Sequence, residues 1–262
     1  MVKDESDIIR DWILYHGYLF GYENLFIIDN MSTDGTFEIM HEFLNNGIHI
    51  FRETNYAEKG FFMKKLIDGN CHGDDIAFPL DIDEFIVYYE NGNKDIICDK
   101  DIINNHIYSL GNRSSIYKAN YIQSVITDNN GYEKATRDNK WGTYSDYGKQ
   151  AKSFFKVNLY RGNIDHGNHI HTDNYILSNI CLVHFHCRNL EQMRKKVYNN
   201  VMGFGYPDNL EALKNMISNN NKCNGYHHIL HYISFLENTY SLSVWDYNDT
   251  FINLHNLNKF FY

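Results

Sequence analysis

Between Asp75 and Val87, two short apolar runs, Ile76 to Leu80 and Phe85 to Val87, flank three carboxylates, Asp81, Asp83 and Glu84. Read as a strand, the segment turns side chains two apart to the same face, so Asp81 and Asp83 converge while Ile82 faces the core. Two convergent carboxylates suit Mg2+ or Mn2+, hard cations that take oxygen ligands and keep positions open for phosphates and water. The expected ligand is a metal shared with a phosphorylated molecule. A bare D-x-D is more often a strand end with solvated acids, so its surroundings must carry the assignment.

A second concentration of chemistry comes late. His166, His169 and His171 fall within six residues, and His184-Phe185-His186 closes the apolar run Ile180 to Phe185. An H-x-H on a strand presents both imidazoles to one side, as a D-x-D presents its carboxylates. Two reaction classes are open. One is metal-dependent transfer from a phosphorylated donor. The other takes His171-Thr172-Asp173 as the H-x-D of a non-haem Fe(II) oxygenase, with His184 or His186 as the distal ligand. That second reading leaves the first ninety residues without a role, and its spacing to the distal histidine is tight. A nucleotidyltransferase would need a basic glycine-rich phosphate loop that the sequence does not contain.

The elements that position these residues alternate. Asp4 to Phe20 has apolar residues at helical spacing, with acids at its start and Gly21 beyond its end. Leu25 to Ile28 reads as a strand, Asp29 to Thr36 as a polar capping turn and Phe37 to Leu44 as a helix. Strand, turn and helix begin a parallel-sheet unit. Ile48 to Phe51, a helix around Phe61 to Leu66 and a strand Ile76 to Leu80 continue it, which places the D-x-D at a strand's carboxyl end. Ligands of open α/β sheets bind there, so Asp29, Asn30 and Asp34 are expected in the same crevice. Further on, Asp99 to Leu110 reads as a helix and Ile116 to Ile126 and Lys152 to Tyr160 as strands. Thr127 to Gly148 reads as a loop carrying Trp141, Tyr144 and Tyr147, and Leu190 to Met202 as a basic helix. The division expected is a catalytic domain over 1–206 and a helical extension over 207–262.

Composition bounds the class. At 262 residues the chain holds a sizeable core, and 43% hydrophobic with 16% aromatic residues excludes a disordered chain. A net charge of −9 argues against nucleic-acid binding, which needs a basic face. Five cysteines without a C-x-x-C fit a reducing compartment. The absence of a long apolar run predicts a soluble chain with no membrane span. The Asn, Ile, Lys and Tyr bias points to an AT-rich genome, such as a large DNA virus's, and hence to the cytoplasm, the host's if viral.

Five stretches in order resemble the family 2 and family 92 glycosyltransferases of the GT-A group. They are Lys3-Asp4-Glu5, the Trp12-Ile13-Leu14-Tyr15-His16 helix, Gly21, the Asp29 to Thr36 turn, and Asp81-Ile82-Asp83-Glu84-Phe85; His184 to Asn189 resembles the family's later H-Y-x-x-[KR]-S. The resemblance implies an α/β fold with a Rossmann-like, mostly parallel central sheet flanked by helices. It also implies a nucleotide-sugar donor, with a UDP-sugar expected, an acceptor hydroxyl on a glycan or protein, and inversion at the anomeric carbon. By the same match Asp81, Asp83 and His184 hold Mn2+ (or Mg2+), with His186 as second choice. Asp29, Asn30 and Asp34 contact the donor, and Arg188 and Lys196 reach its diphosphate. Asp146 and Asp165 are the candidates for the general base. Asp4 stands where the family has Asn, and the family's first strand is expected as a stub, Met1-Val2.

Overall fold

The computed structural model describes residues 1–125, 140–186, 188–219, 223, 225–242 and 251–261. Near the start, β1 (Phe26–Asp29) and β2 (His49–Arg52) pair in parallel across α2 (Thr36–His41). A parallel pair needs such a crossover, and Gly35, at φ 94°, turns the chain into the helix. Val2 adds a third rung. Its N–H donates to Ile28 O at 2.8 Å and its carbonyl accepts from Asn30 N at 2.7 Å, so the stub runs parallel to β1.

The second sheet carries the other strands: β3 (Ile76–Ala77), β4 (Glu84–Tyr88), β5 (Ile116–Val125), β6 (Trp141–Ser145), β7 (Lys152–Lys156), β8 (Ile176–His184) and β9 (Ile252–Asn253). β5 is its spine. One edge pairs with β8 in parallel, and the other is shared by β7 and β6, both antiparallel. β4 lies antiparallel beyond β8, β3 beyond β7 and β9 beyond β6. The α/β class is as expected, but among the described strands only β1–β2 and β5–β8 pair in parallel, besides the single parallel bridges Val2–Asp29 and Asp95–Asn253. The reason lies in the connections. No α-helix occurs among the described residues between α4 (Lys100–Leu110) and α5 (Leu190–Gly203), and without crossover helices most of these strands return antiparallel.

Three further expectations change. β3 ends at Ala77 because Pro79 has no N–H for a ladder, so Asp81 and Asp83 lie in a turn that leads into β4, not at a strand's carboxyl end. Trp141 and Tyr144 belong to strand β6, while the loop's 127–139 and the expected strand's last residue, 126, lie outside the described residues. After residue 206 the chain is helical over α6 (Leu210–Asn219) and α7 (Tyr226–Leu236), whose Leu213, Ile229 and Tyr232 bury against Met193, Val197 and Val201 of α5. It then returns to the main sheet as β9 and α8 (His255–Asn258), and Leu254 and Leu257 join the main core.

One helix fixes the strand that carries the carboxylates. α1 (Ile9–Phe20) presents Trp12, Tyr15 and His16 on one face, and all three bond to β4 main chain. Trp12 Nε1 donates to Glu84 O at 3.1 Å and Tyr15 Oη to Ile86 O at 2.6 Å, while Ile86 N donates to His16 Nε2 at 3.4 Å. β4 pairs with β8 along one edge, and on the other Tyr88 bridges to Ile97, so these side chains satisfy backbone groups that a further strand would otherwise take. A cavity of about 700 Å3 lies between the two sheets, lined by Met1, Val2, Ile28, Ala77 and Phe78 among others. Burial, with the charge of Lys59 adding to it, pushes the Met1 ammonium down to a pKa of about 5.

Candidate metal and donor site

The register of β4 on β8 sets Glu84 opposite His184, and Phe185 N donates to Asp83 O at 2.9 Å. Asp83, at the entry to β4, therefore meets both histidines at the exit of β8. One ligand atom from each of Asp83, His184 and His186 falls within 4.8 Å of the others, and Asp83 Oδ2 is 3.4 Å from His184 Nε2. Two atoms bound to one ion at about 2.1 Å would be separated by roughly that distance. One carboxylate oxygen and two imidazole nitrogens suit a first-row divalent ion, and His184 Nδ1 is buried without a partner. The donor set fits Mn2+ better than Mg2+.

A cation from α5 already touches this group. Asn189 caps the helix by accepting from Gln192 N at 2.9 Å, and one turn further the chain delivers Lys195 and Lys196. Lys196 Nζ donates to Asp83 Oδ2 and stands 3.3 Å from His186 Nδ1. Burial alone would raise the Asp83 pKa, but Lys196 and then His184 hold it well below the carboxylate range. The charge of Lys196, together with burial, pushes His186 well below the usual imidazole value.

Asp81 is not part of that group. It accepts from Lys59 Nζ, from Lys152 Nζ at 3.0 Å and from Asn168 Nδ2 at 3.1 Å. Against burial, Lys152 and Lys59 hold its pKa well below the ordinary range. Lys152 also lies 2.9 Å from Glu84 and donates to Gly167 O at 3.0 Å. Asn168 is fully buried; its amide must turn nitrogen toward the Asp81 carboxylate, which leaves Oδ1 an acceptor without a donor. Lys59, Lys152 and Asn168 were not legible as site residues. The one signal was a lysine inside an apolar strand, since such residues are seldom buried unless paired.

The remaining candidates divide. Asp34 accepts from Ser6 N, Thr36 N and Lys195, so α5 ties the β1 turn to the site. Asp29, fully buried, holds that turn through Ser32 N and Arg52 Nε, and Asn30 Nδ2 donates to Glu53 O. Arg188 is committed elsewhere: it is buried against Glu5 and Asp7, so it braces the chain's start. Asp146 accepts from Asn120 Nδ2 and Gly148 N within a turn. Asp165 accepts from His169 N at 2.6 Å and pairs with His171 Nε2 at 2.9 Å, on the loop that sends Asn168 and Gly167 to Asp81 and Lys152. The oxygenase triad does not assemble. Asp173 is 91% exposed with Lys149 as its partner, and neither it nor His171 belongs to the ligand group found among the described residues.

No family model matches the chain, and no curated protein does. Among solved structures, residues 1–349 of TarS from S. aureus superpose with a TM-score of 0.42 at 12% identity, covering 90% of this chain and 71% of that one. A likeness this loose carries no argument about activity or about the site. Among the described residues no helix is long and apolar enough to cross a membrane.

Proposed function

We propose that this protein is a metal-dependent glycosyltransferase that moves a sugar from a nucleoside diphosphate donor, a UDP-sugar, to a hydroxyl of a glycan or protein acceptor, with inversion. The observation that carries the reading is the convergence of Asp83, His184 and His186 at the junction of β4 and β8, with Lys196 bonded to Asp83. The order of the motifs from Lys3 to Asn189 supports it. Asp83, His184 and His186 would hold Mn2+, and the ion would supply Lewis-acid stabilisation to the departing diphosphate.

The chain's own residues do the rest. Lys59 and Lys152 keep Asp81 ionised beside the ion's site, so that it can act on the ion through water. Lys195 and Lys196 lie one turn into α5 and supply positive charge to phosphate oxygens. Asp29 and Asn30 shape the turn against which the nucleoside would lie, through Ser32 N, Arg52 and Glu53 O. Inversion in one displacement needs one base beside the acceptor hydroxyl. Asp165 suits that role better than Asp146 because its loop is bonded to Asp81 and Lys152 and its carboxylate is paired with His171. Replacing Asp165 with Asn should lower kcat by about 10²- to 10⁴-fold and leave UDP affinity unchanged. Sugar transfer assayed with a panel of UDP-sugars and Mn2+ tests the reading, and loss of turnover in Asp83→Ala with the far-UV spectrum retained is the expected result.

A further inference from the structure

We infer that the Lys196 ammonium is the resident cation of this site, and that a divalent ion binds only by displacing it. The inference rests on the metal-dependent reading above and adds a coupling to it. Of the three residues in the candidate ligand group, Lys196 engages two: it donates to Asp83 Oδ2 and lies within hydrogen-bond reach of His186 Nδ1. An ammonium has no lone pair, so that contact requires His186 Nδ1 to be the acceptor, and the imidazole is already in its neutral, ligating form. The lysine thus holds the ligand set in the state a metal needs while filling part of the space a metal would take.

The neighbouring cations are placed differently. Lys152 is fixed by Asp81, Glu84 and Gly167 O, Lys59 by Asp81, Lys195 by Asp34, and Arg188 by Glu5 and Asp7. None of these contacts involves a ligand atom of the Asp83, His184 and His186 group. Lys196 alone among them is bonded to residues of that group. An ammonium bonded to Asp83 and a divalent ion held by the same group would lie a few ångströms apart, where two positive charges repel strongly. Lys196 must therefore leave, and its flexible stem permits that.

Leaving an anionic pocket is costly without a new partner. A nucleoside diphosphate supplies one, since its phosphate oxygens accept from the displaced ammonium while they also bind the metal. Metal and diphosphate should then bind cooperatively, each raising the other's affinity by the same factor. The ligand-free protein should bind metal weakly.

The experiment is titration of Mn2+ into the full chain, read by the electron paramagnetic resonance of free Mn2+, with and without UDP. In Lys196→Gln the affinity for Mn2+ alone should rise about tenfold or more, and the gain conferred by UDP should shrink correspondingly. Lys196→Arg keeps the charge and should keep the weak affinity, and Lys196→Met serves if the Gln variant fails to fold. Unchanged or weaker Mn2+ binding in the charge-removing variants, with binding abolished by Asp83→Asn, overturns the displacement and leaves the metal site standing. Binding that survives Asp83→Asn, or no Mn2+ binding by any form, overturns both.

Discussion

At the residue scale the site is a balance of charges. Asp34, Asp81, Asp83 and Glu84 each face a lysine, and Glu5 and Asp7 share Arg188. A buried carboxylate left without its cation is more costly than the pair is stabilising. Lys152, nearly inaccessible and serving both Asp81 and Glu84, is the most exacting case. Lys152→Met should therefore destabilise the protein by about 3–5 kcal/mol in urea unfolding. Asp83 and His184 could be read from residue type and spacing, because a D-x-D and an H-x-H each announce themselves locally. The lysines could not. Lys59 and Lys152 come from 22 and 71 positions away from Asp81, on a helix start and a strand with no motif of their own. Asp81 and Asp83 also fail to share one ligand point, since the turn before β4 breaks the alternation that a continuous strand would impose.

At the element scale, the Trp12, Tyr15 and His16 spacing has a mechanical meaning that its amphipathic pattern alone did not reveal. Residues i, i+3 and i+4 stand on one helical face, and here their polar tips close the edge of β4 at Glu84 and Ile86. Tyr15→Phe leaves the buried Ile86 carbonyl without its donor and should cost about 1–3 kcal/mol by urea denaturation, with little change in shape. α3 (Lys59–Asn70) is placed by a close approach. A Cβ on Gly60 would stand 2.3 Å from Ile164 O, so Gly60→Ala must push apart the helix that carries Lys59 and the loop that carries Asn168. A loss of about 1–3 kcal/mol is expected. Most helices and strands were legible from periodicity and caps, as at Asp99, whose carboxylate caps α4. Pairing direction was not, because a period of two is the same in parallel and antiparallel strands and only the missing crossover helices distinguish them.

At the scale of the molecule, acid should act through buried histidines before it reaches the carboxylates. His16 donates from Nδ1 to Trp12 O at 3.0 Å and accepts at Nε2, and burial lowers its pKa to about 3; His228 is likewise lowered to about 3. Unfolded, each would titrate near 6.5, so below that pH the unfolded chain binds more protons and stability falls as pH falls toward 3. Each group contributes at most about 1.4 kcal/mol per pH unit. Urea midpoints between pH 7.5 and 4.5 should decline, and the slope should lessen in His16→Gln. The central claim, that Asp83, His184 and His186 hold a divalent ion for a nucleoside diphosphate, is tested most directly by thermal unfolding with Mn2+, with UDP and with both. At about a hundredfold excess over Kd, the pair should raise the wild-type Tm by roughly 5 °C. Either alone should give less than the pair, and Asp83→Asn should show no response to the pair. An equal shift in Asp83→Asn, or no shift in the wild type, would contradict the account.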